Sequence, residues 1–320
     1  MLLPKYDVSL RLLNSDQSNP TPIALFNEDI VPQGQLHIDL DDIGFVMGAT
    51  ISERLRTFGG QLFQADEHFA RLALSLESLG ITSMELLSRV QTAAVDIVAH
   101  NSALCDASSD LGLVVLVTPG RAAASEPTVL VYSSALPFSE MHSWYSDGVS
   151  LQVAAHRQVP ENCWPSHLKC RSRMHYYLAD REARSKQSDA RALLLDQQGN
   201  VAEASTANLL IYNKDTGFVS PRKENILPGI SLSVLETLAA QLGLNFQYAD
   251  FSAAELMAAD EVMLCSTSPS VWAVRECNGQ ACGAGADGEM VRALHQGFSD
   301  LVGLDIVAQA AKLASRQSGR

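Results

Sequence analysis

Short apolar strands and helical segments follow one another irregularly along this chain, and that order limits the folds available to it. A Gly59-Gly60 turn joins two strand candidates, Thr50–Phe58 and Gln61–Gln64, as a hairpin. Apolar residues between positions 69 and 76 then recur at helical spacing. Because hairpins and helices are mixed without strict strand–helix–strand alternation, the sequence predicts α+β domains.

The length and composition of the chain predict a globular protein of about two domains. It has 320 residues, of which 47% are apolar and 18% are charged. Around Ala135–Ser146 the composition shifts toward Pro, Ser, His and aromatic residues. We therefore predict a small α+β domain over residues 1–138, beginning with a polar extension over residues 1–21, and a larger domain over residues 139–320.

The charge balance excludes several classes of partner. Lys and Arg number 23 and Asp and Glu number 36, which gives a formal net charge of −13. Such a chain lacks the basic face that binds nucleic acids or anionic membranes. It shows neither an apolar run of about 20 residues nor the pattern of a signal peptide. The six cysteines are scattered without a C-x-x-C pair, which favours free thiols in a cytoplasmic protein and no metal site.

Turn residues and periodicity place further elements whose positions can be tested. Strands are predicted over Ile23–Phe26 and Gln35–Ile38, on either side of a turn at Pro32-Gln33-Gly34. Asp66 is predicted to cap the helix that follows the first hairpin, and the final helix is predicted over Gly288–Val302.

Lys169 is the first candidate for chemistry. It follows Pro165 and precedes a predicted helix, Met174–Ser185, in a stretch that includes Trp164 and Leu168. Burial and nearby cations lower the pKa of a lysine, and the neutral amine can form a Schiff base with an aldehyde. The alternative is a surface lysine among basic neighbours.

Glu203 is the second candidate. It follows the turn at Gly199-Asn200 and lies among small residues, where a ligand can approach closely. A carboxylate there can pair with a ring nitrogen of a ligand and keep it protonated. The alternative is an edge-strand glutamate that faces water. Asn208, at the end of the same stretch, is predicted either to hold the bend or to contact a ligand.

Three segments carry groups that suit a phosphate. The Pro228-Gly229-Ile230-Ser231 run opens a predicted helix, whose free N–H groups and positive dipole end attract an anion. Ser266-Thr267 follows an apolar strand, and Arg71 offers a charge-assisted bidentate bond. The ordinary alternatives are a capping serine, a polar loop and a salt-bridged surface arginine.

Together and in this order, these segments resemble the class IV (fold-type IV) family of pyridoxal-phosphate enzymes. That family includes branched-chain-amino-acid aminotransferases, D-amino-acid aminotransferases and aminodeoxychorismate lyases. The resemblance runs from about Phe26 to Val302. Its motifs are residues 26–32, similar to NGxxVP; 62–72, similar to LFxLDEHLxRL; 196–209, similar to DxxGxVxExxxxNL; 226–231, similar to ILPGIT; and 260–267, similar to DEVFxxGT.

The resemblance implies a two-domain fold-type IV enzyme that binds pyridoxal 5'-phosphate between a small N-terminal and a larger C-terminal domain. It implies that Lys169 forms the Schiff base and acts as general base, while Glu203 holds the pyridinium nitrogen. The other implied cofactor residues are Arg71, Asn208, Leu227, Gly229, Ile230, Ser231, Ser266 and Thr267.

The resemblance also implies a reaction. It is the transfer of an amino group between an amino acid, branched-chain-like, and a 2-oxo acid. Arg54, Arg56 and Arg121 are candidates for the substrate carboxylate, and the sequence does not choose among them. An aminodeoxychorismate lyase, which eliminates pyruvate, and a non-catalytic relative that only binds are the alternatives. Sites in this family usually include loops of a second subunit, so a homodimer is expected.

The stretch after Lys169 departs from the family pattern. Aminotransferases usually carry an asparagine within a few positions of the lysine, whereas this chain has Cys170-Arg171-Ser172-Arg173-Met174, with extra arginines. The partner of the cofactor's ring hydroxyl therefore stays open, with Tyr176 and Tyr177 as candidates. The Arg-x-His carboxylate trap of D-amino-acid aminotransferases is absent from Arg121–Pro127.

Overall fold

The computed structural model of the chain describes residues 21–106, 109–122 and 126–317, so the predicted extension lies almost entirely outside the described residues. Within the described part, the strands form two sheets and helices pack against both. The predicted α+β architecture is confirmed. The first sheet ends at Ala135 and the next helix begins at Phe138.

The first sheet is antiparallel, and its six described strands have the order β2-β1-β6-β5-β3-β4. Two long helices cover one face, where Leu72, Val90 and Ile97 pack against Leu55 and Leu113. The elements of this part are β1 (Ile23–Phe26), β2 (Asp29–Pro32), α1 (Ile43–Val46), β3 (Ile51–Phe58), β4 (Gln61–Leu62), α2 (Ala65–Glu77), α3 (Met84–Ser102), β5 (Leu111–Thr118) and β6 (Thr128–Ala135).

Two details of the sequence prediction are wrong here. The strand predicted over Gln35–Ile38 is absent from the described residues at that position, because Asn27 adopts a left-handed φ of 56° and turns the chain earlier. Its side chain accepts a hydrogen bond from Val129 N at 2.9 Å, and β2 then begins at Asp29. The helix predicted to be capped by Asp66 begins at Ala65, with Gln64 in the capping position.

The second sheet is mixed. Its main path is β12-β11-β10-β13-β14-β7-β8-β9, and β15 pairs with β14 beside it. Its elements are α4 (Phe138–Asp147), β7 (Val149–Val153), α5 (Met174–Lys186), β8 (Arg191–Leu195), β9 (Val201–Ala204), β10 (Asn208–Asn213), β11 (Gly217–Ser220), α6 (Ile230–Gln241), β12 (Phe246–Tyr248), α7 (Ala253–Ala258), β13 (Glu261–Ser266), β14 (Ser270–Cys277), β15 (Gln280–Ala281), α8 (Glu289–Val302) and α9 (Ile306–Gln317).

The second sheet curls back on itself. A bridge between Ala204 and Ala207 brings β9, at one end of the sheet, beside β10 in its middle. Apolar side chains from both ends of the path, such as Leu193, Leu209 and Trp272, share one core. The turn between β9 and β10 therefore lies where the end of the sheet returns to its middle.

Two helices of this part were not predicted from the sequence. Helix α4 falls in the segment that was interpreted as a domain boundary, yet Phe138, Met141 and Tyr145 are buried along one of its faces. Helix α9 follows the helix predicted as the last one. Within the residues described here, none of the helices is both long and apolar enough to cross a bilayer.

Candidate active site

A cleft of about 370 Å³ lies between the two sheets. That volume is at the lower end of the range typical of small-molecule and cofactor sites. Residues from β3, α2, the segment before α5, the β9–β10 turn, the start of α6 and the β13–β14 turn line it. Its wall includes these predicted residues: Arg54, Arg71, Lys169, Glu203, Asn208, Leu227, Gly229, Ile230, Ser231, Ser266 and Thr267.

Lys169 is held by backbone hydrogen bonds to the first sheet. Ser52 N donates to Lys169 O at 2.8 Å, and Arg171 N donates to Thr50 O at 2.8 Å. Lys169 N donates to Ser75 Oγ of α2 at 3.3 Å. The segment before α5 thus extends the edge of β3 by a short antiparallel bridge, which fixes the lysine where the two sheets meet.

The environment of Lys169 favours its neutral amine. Burial, and then the charges of Arg71, Arg173 and Arg171, lower the pKa of Lys169 to about 7, although Glu53 opposes them. An amine with this pKa is about half neutral at pH 7, whereas an ordinary lysine is almost fully protonated. The neutral amine is the form that attacks an aldehyde and that accepts a proton.

Glu203 is buried, and in the protein without a ligand its ionised form is disfavoured. Burial raises the pKa of the Glu203 carboxyl to about 7, against hydrogen bonds from the Tyr176 hydroxyl, the backbone and the Gln158 amide. Tyr176 and Gln158 both donate to Oε1. Asn208 Nδ2 lies 3.4 Å from Oε2. A positive group beside this carboxyl would favour its ionised form, since an opposite charge replaces the lost solvation.

The start of α6 forms one end of the cleft. Gly229 is the N-cap residue, and no side chain caps the helix there. Ser231 therefore lies in the first turn and is not the capping residue. The first N–H groups of such a helix have no acceptor within the helix and carry its positive dipole end. A Cβ on Gly229 would lie 1.9 Å from Asn208 Oδ1, so only glycine fits beside this asparagine.

Asn208 links the two ends of the cleft. Its Nδ2 donates to Leu227 O at 2.9 Å and also approaches Glu203. Two residues before Asn208, Thr206 has a φ of 64°, which a β-branched residue rarely adopts and which marks a strained turn. The side chain therefore fixes the loop before α6 relative to the β9–β10 turn.

Arg71 is tied to a buried carboxylate. Its Nε and Nη2 lie 3.0 and 2.7 Å from the two oxygens of Glu53, and its Nη1 donates to Pro228 O at 2.8 Å. His68 Nδ1 lies 3.0 Å from the same Glu53 carboxylate. A guanidinium has five N–H groups, so two remain for a ligand. Arg71 thus faces the start of α6 as a preorganised donor.

Glu53 and His68 were not among the predicted site residues. Burial opposes ionisation of Glu53, but Arg71, His68 and Lys169 outweigh it and hold the pKa of the Glu53 carboxyl well below its usual range. Burial lowers the pKa of His68, so its neutral ring donates from Nδ1. From the sequence, strand periodicity indicates only the face of β3 that Glu53 occupies, and the spacing of His68 and Arg71 indicates only that they share a face of α2. The packing of α2 on β3 is what brings these three side chains together.

The three arginines predicted to bind substrate lie in different places. Arg54 lines the cleft and its Nε donates to Ser268 Oγ at 3.0 Å. Arg56 is fully buried behind the wall, where it donates to Ser268 O and lies over the Phe58 ring. Arg121 is exposed and pairs with Asp39 and Asp41. Neither Arg56 nor Arg121 lines this cleft, and their role as substrate ligands stays a prediction.

Arg191 is a further cation that sequence analysis missed. It lies 5.6 Å from the ring centres of Trp144 and Trp272, and its Nη2 donates to Ser205 O and to Thr206 Oγ1. It therefore braces the β9–β10 turn.

Of the two tyrosines proposed for the ring hydroxyl, Tyr176 lines the cleft and Tyr177 is exposed. Among the described residues, no metal-binding group of three His, Cys, Asp or Glu side chains occurs.

The protein thus has two sheets and, on the wall of the cleft between them, a lysine of lowered pKa. Comparison with known proteins shows the family to which it belongs. The family described as amino-transferase class IV matches residues 50–277. A D-alanine aminotransferase of Bacillus licheniformis is 27% identical over 278 residues, covering 84% of this chain and 93% of the relative.

Solved structures show the same fold. The branched-chain amino acid aminotransferase of Escherichia coli superposes with a TM-score of 0.80 at 20% identity, over 88% of this chain and 95% of that one. A T.th. branched-chain amino acid aminotransferase, solved with pyridoxamine 5'-phosphate, gives a TM-score of 0.78 at 22% identity, with the same two coverages.

The chain belongs to the class IV aminotransferases. It is a pyridoxal-phosphate-dependent transaminase of fold type IV, so the predicted family, fold, activity and cofactor are confirmed. The cleft fits this cofactor, since it joins a lysine of lowered pKa, a buried carboxyl and an uncapped helix start beside Arg71.

Removal of Arg71 is expected to weaken cofactor binding more than removal of Ser231 or Thr267. Each of Arg71→Ala, Ser231→Ala and Thr267→Ala should cost about 1–3 kcal/mol, the usual loss for a charge-assisted or buried hydrogen bond, and Arg71→Ala should be the worst. Titration of each cofactor-free variant with pyridoxal 5'-phosphate measures the loss, and melting temperature controls for folding. Unchanged affinity in Arg71→Ala would place the phosphate elsewhere.

Proposed function

We propose that Lys169 carries the covalent chemistry and the proton transfer of this aminotransferase. The observation that supports it most directly is the lowered pKa of an amine on the wall of the inter-sheet cleft. With pyridoxal 5'-phosphate bound, Lys169 would hold the cofactor covalently, and its Nζ, when free, would move the proton from the substrate Cα to C4′ of the cofactor.

Glu203 is the proposed partner of the ring nitrogen. Bound pyridoxal 5'-phosphate supplies an electron sink for the substrate carbanion, and that sink is strongest when the ring nitrogen is protonated. The Glu203 carboxylate holds the proton on that nitrogen, and Tyr176 and Gln158 fix the carboxylate by their hydrogen bonds. Asn208 joins Glu203 to the loop before α6.

The proposed phosphate site is the start of α6. Ile230 and Ser231 offer backbone N–H groups, Ser231 and Thr267 offer hydroxyls, and Arg71 offers its two remaining N–H groups. Leu227 would pack on the cofactor ring, and Ser266 lines the wall on the β13 side. The positive end of the helix dipole adds to the attraction for the dianion.

Spectroscopy of the first half-reaction tests this proposal. The purified holoenzyme, mixed with a panel of L- and D-amino acids, should convert its cofactor absorbance with amino acids of one hand, branched-chain-like donors among them. The same panel with an aminated chorismate tests the lyase reaction, which would release pyruvate. A holoenzyme that converts none of the amino acids would contradict the proposed aminotransferase.

We also propose that each chain folds into a small domain, residues 1–138, and a larger domain, residues 139–320. Two such chains form a homodimer, and the protein is cytoplasmic. Free thiols at all six cysteines support the compartment. The dimer is supported by an apolar rim, which we define as Leu40, Phe45, Val46, Met47, Met174 and Tyr177, each 63% to 81% exposed. The rim has residues from two segments, one just before Gly48 and one just after Ser172. Ser172 Oγ donates to Gly48 O at 2.6 Å and so joins these two segments.

Charge placed on the apolar rim is expected to separate the subunits. Phe45→Asp with Met47→Asp should raise the dimer dissociation constant at least about a hundredfold, because burying an unpaired carboxylate is costly. Sedimentation velocity measures the change, and Val95→Asp, at an apolar site on α3 that is 62% exposed, is the matched control. A wild-type monomer, or a double variant that stays as dimeric as the control, would contradict the proposal.

A further inference from the structure

The β13–β14 turn, residues 266–270, is held from the side that faces away from the cleft. Its first four residues line the cleft. Behind them, Arg56 Nη1 donates to Ser268 O, and the Tyr145 hydroxyl donates to Pro269 O at 2.7 Å. Two consecutive carbonyl groups of the turn thus each have a buried donor, one from β3 and one from α4.

The conformation of this turn is strained. Ser270 has a φ of 60°, which residues other than glycine and asparagine rarely adopt. Its Oγ is buried and, among the described residues, has no hydrogen-bond partner. Residues in such conformations persist where the surrounding structure fixes them, and they are frequent at ligand sites. The donors behind the turn therefore hold it in a shape that local preferences disfavour.

Arg56 brings a positive charge to the back of the turn. Its side chain is fully buried, and within the part of the chain that the structure describes it forms no ion pair. Burial lowers the pKa of Arg56 to about 10, so the guanidinium is still charged at neutral pH. The Ser268 carbonyl is therefore held by a charge-assisted hydrogen bond, which is stronger than one from a neutral donor.

Arg56 is itself fixed by its neighbours, among them helix α9. Gln309 of α9 has its Oε1 3.4 Å from Arg56 Nη2, and its Nε2 donates to Asp110 Oδ2 at 2.7 Å. On another side, Arg56 Cζ lies 3.8 Å from the centre of the Phe58 ring. The guanidinium therefore has one defined direction. Helix α9, which lies beyond the residues that match the family, contributes to it.

Tyr145 is fixed in a similar way. Its ring meets the His295 ring edge-on, with 5.0 Å between the ring centres. His295 Nε2 lies 2.9 Å from Val271 O, and a carbonyl only accepts, so this nitrogen donates to a third carbonyl just after the turn. Burial raises the pKa of the Tyr145 hydroxyl, which therefore stays protonated and able to donate. Side chains of β3, α4 and α8 thus hold the turn together.

We propose that Arg56 and Tyr145 are positioning residues of this aminotransferase, which hold the β13–β14 turn so that Thr267 faces the phosphate of the cofactor. They act through two backbone carbonyls and reach neither cofactor nor substrate, because neither side chain lines the cleft. This role for Arg56 differs from the substrate ligand that the sequence suggested. The inference rests on the proposed function, which makes Thr267 a phosphate ligand.

The test compares two ligands that differ in the phosphate group alone. Cofactor-free enzyme is titrated with pyridoxal 5'-phosphate and with pyridoxal, and the ratio of the two affinities measures what the phosphate site contributes. This ratio should fall about tenfold in Arg56→Met and about threefold in Tyr145→Phe, as expected for a lost charge-assisted and a lost neutral hydrogen bond. Arg56→Lys should recover part of the loss, since an ammonium group can still donate to the Ser268 carbonyl.

Asn101→Leu is the matched control for the loss of a buried polar side chain. Asn101 is buried on α3, donates to Ile23 O and to Ser133 Oγ, and lies outside the cleft. Its replacement should lower the melting temperature and leave the affinity ratio unchanged. Where Arg56→Met does not fold, Tyr145→Phe decides, because it removes one hydroxyl and keeps the ring against His295.

Three outcomes would overturn the inference. The first is a wild-type ratio in Arg56→Met and Tyr145→Phe with a lowered ratio in Arg71→Ala, which leaves the proposed phosphate site intact. The second is a loss of affinity for both ligands by the same factor, which shows general destabilisation only. The third is an unchanged ratio in Arg71→Ala as well, which contradicts the proposed phosphate site together with this inference.

Discussion

Lys169→Ala is expected to lower turnover by at least about 10⁴-fold, the upper end of what a positioned acid–base group contributes. On the proposed role of Lys169, the variant would lose both the amine that bonds the cofactor and the base that moves the Cα proton. It should still fold, because the hydrogen bonds that fix this segment to Ser52, Thr50 and Ser75 come from the backbone. It should also retain noncovalent cofactor binding through the start of α6 and Arg71.

Two measurements make this result specific. Lys214→Ala, at an exposed turn between β10 and β11, should keep wild-type turnover and cofactor absorbance. A small primary amine added to Lys169→Ala should restore part of the lost rate, since a free base can enter the emptied position. Near-normal turnover in well-folded Lys169→Ala would remove this residue from the chemistry.

Glu203→Gln is expected to keep the fold and the cofactor but lose most of the activity. Glutamine keeps the size of the side chain and can still accept from Tyr176, whereas it cannot stabilise a positive ring nitrogen. The electron sink is then weaker, and a barrier higher by about 3 kcal/mol lowers the rate about a hundredfold. Stopped-flow measurement of the first half-reaction gives the rate, with melting temperature as the control for folding.

Other outcomes for Glu203→Gln would point elsewhere. If the carboxyl only holds the β9–β10 turn, the variant should unfold at a lower temperature, and its residual rate should follow the folded fraction. Gln158→Leu is a useful companion, because it removes one donor to Oε1 and keeps the carboxyl itself. Full activity in a folded Glu203→Gln enzyme would reject the electron-sink role.

The parts of the site that sequence analysis predicted are those carried by compact motifs. Lys169, Glu203 and Ser231 are far apart in the chain, and no local spacing shows that they meet. Their motifs, taken in order, predicted that they share a site, and the structure places all three on one cleft. Their chemical roles remain predictions that the variants above test.

The Glu53–His68–Arg71 network lay beyond sequence analysis for a physical reason. Alternation along β3 indicates only which face Glu53 occupies, and helical spacing indicates only that His68 and Arg71 are neighbours on α2. Their hydrogen bonds depend on how α2 lies across β3, which is tertiary packing. Arg191 was missed similarly, because its aromatic partner Trp144 belongs to α4, which was interpreted as a domain boundary.

The errors in local structure have identifiable signals. In α4, Phe138, Met141 and Tyr145 follow helical spacing, but the change in composition was given more weight. In the first hairpin, Asn27 is a residue that tolerates a left-handed φ, and that turn was overlooked in favour of Pro32-Gln33-Gly34. The family motif over residues 26–32 pointed to the correct hairpin, which local turn preferences did not.

Borohydride reduction of the holoenzyme tests the central claim most directly. The chain has six lysines, of which Lys169 alone lines the cleft in the described part of the chain. Reduction fixes the cofactor to the amine that bonds it, and peptide mapping by mass spectrometry then locates the pyridoxyl group. We expect the group on Lys169, whereas a pyridoxyl group on Lys186, Lys223 or any other lysine would contradict the claim.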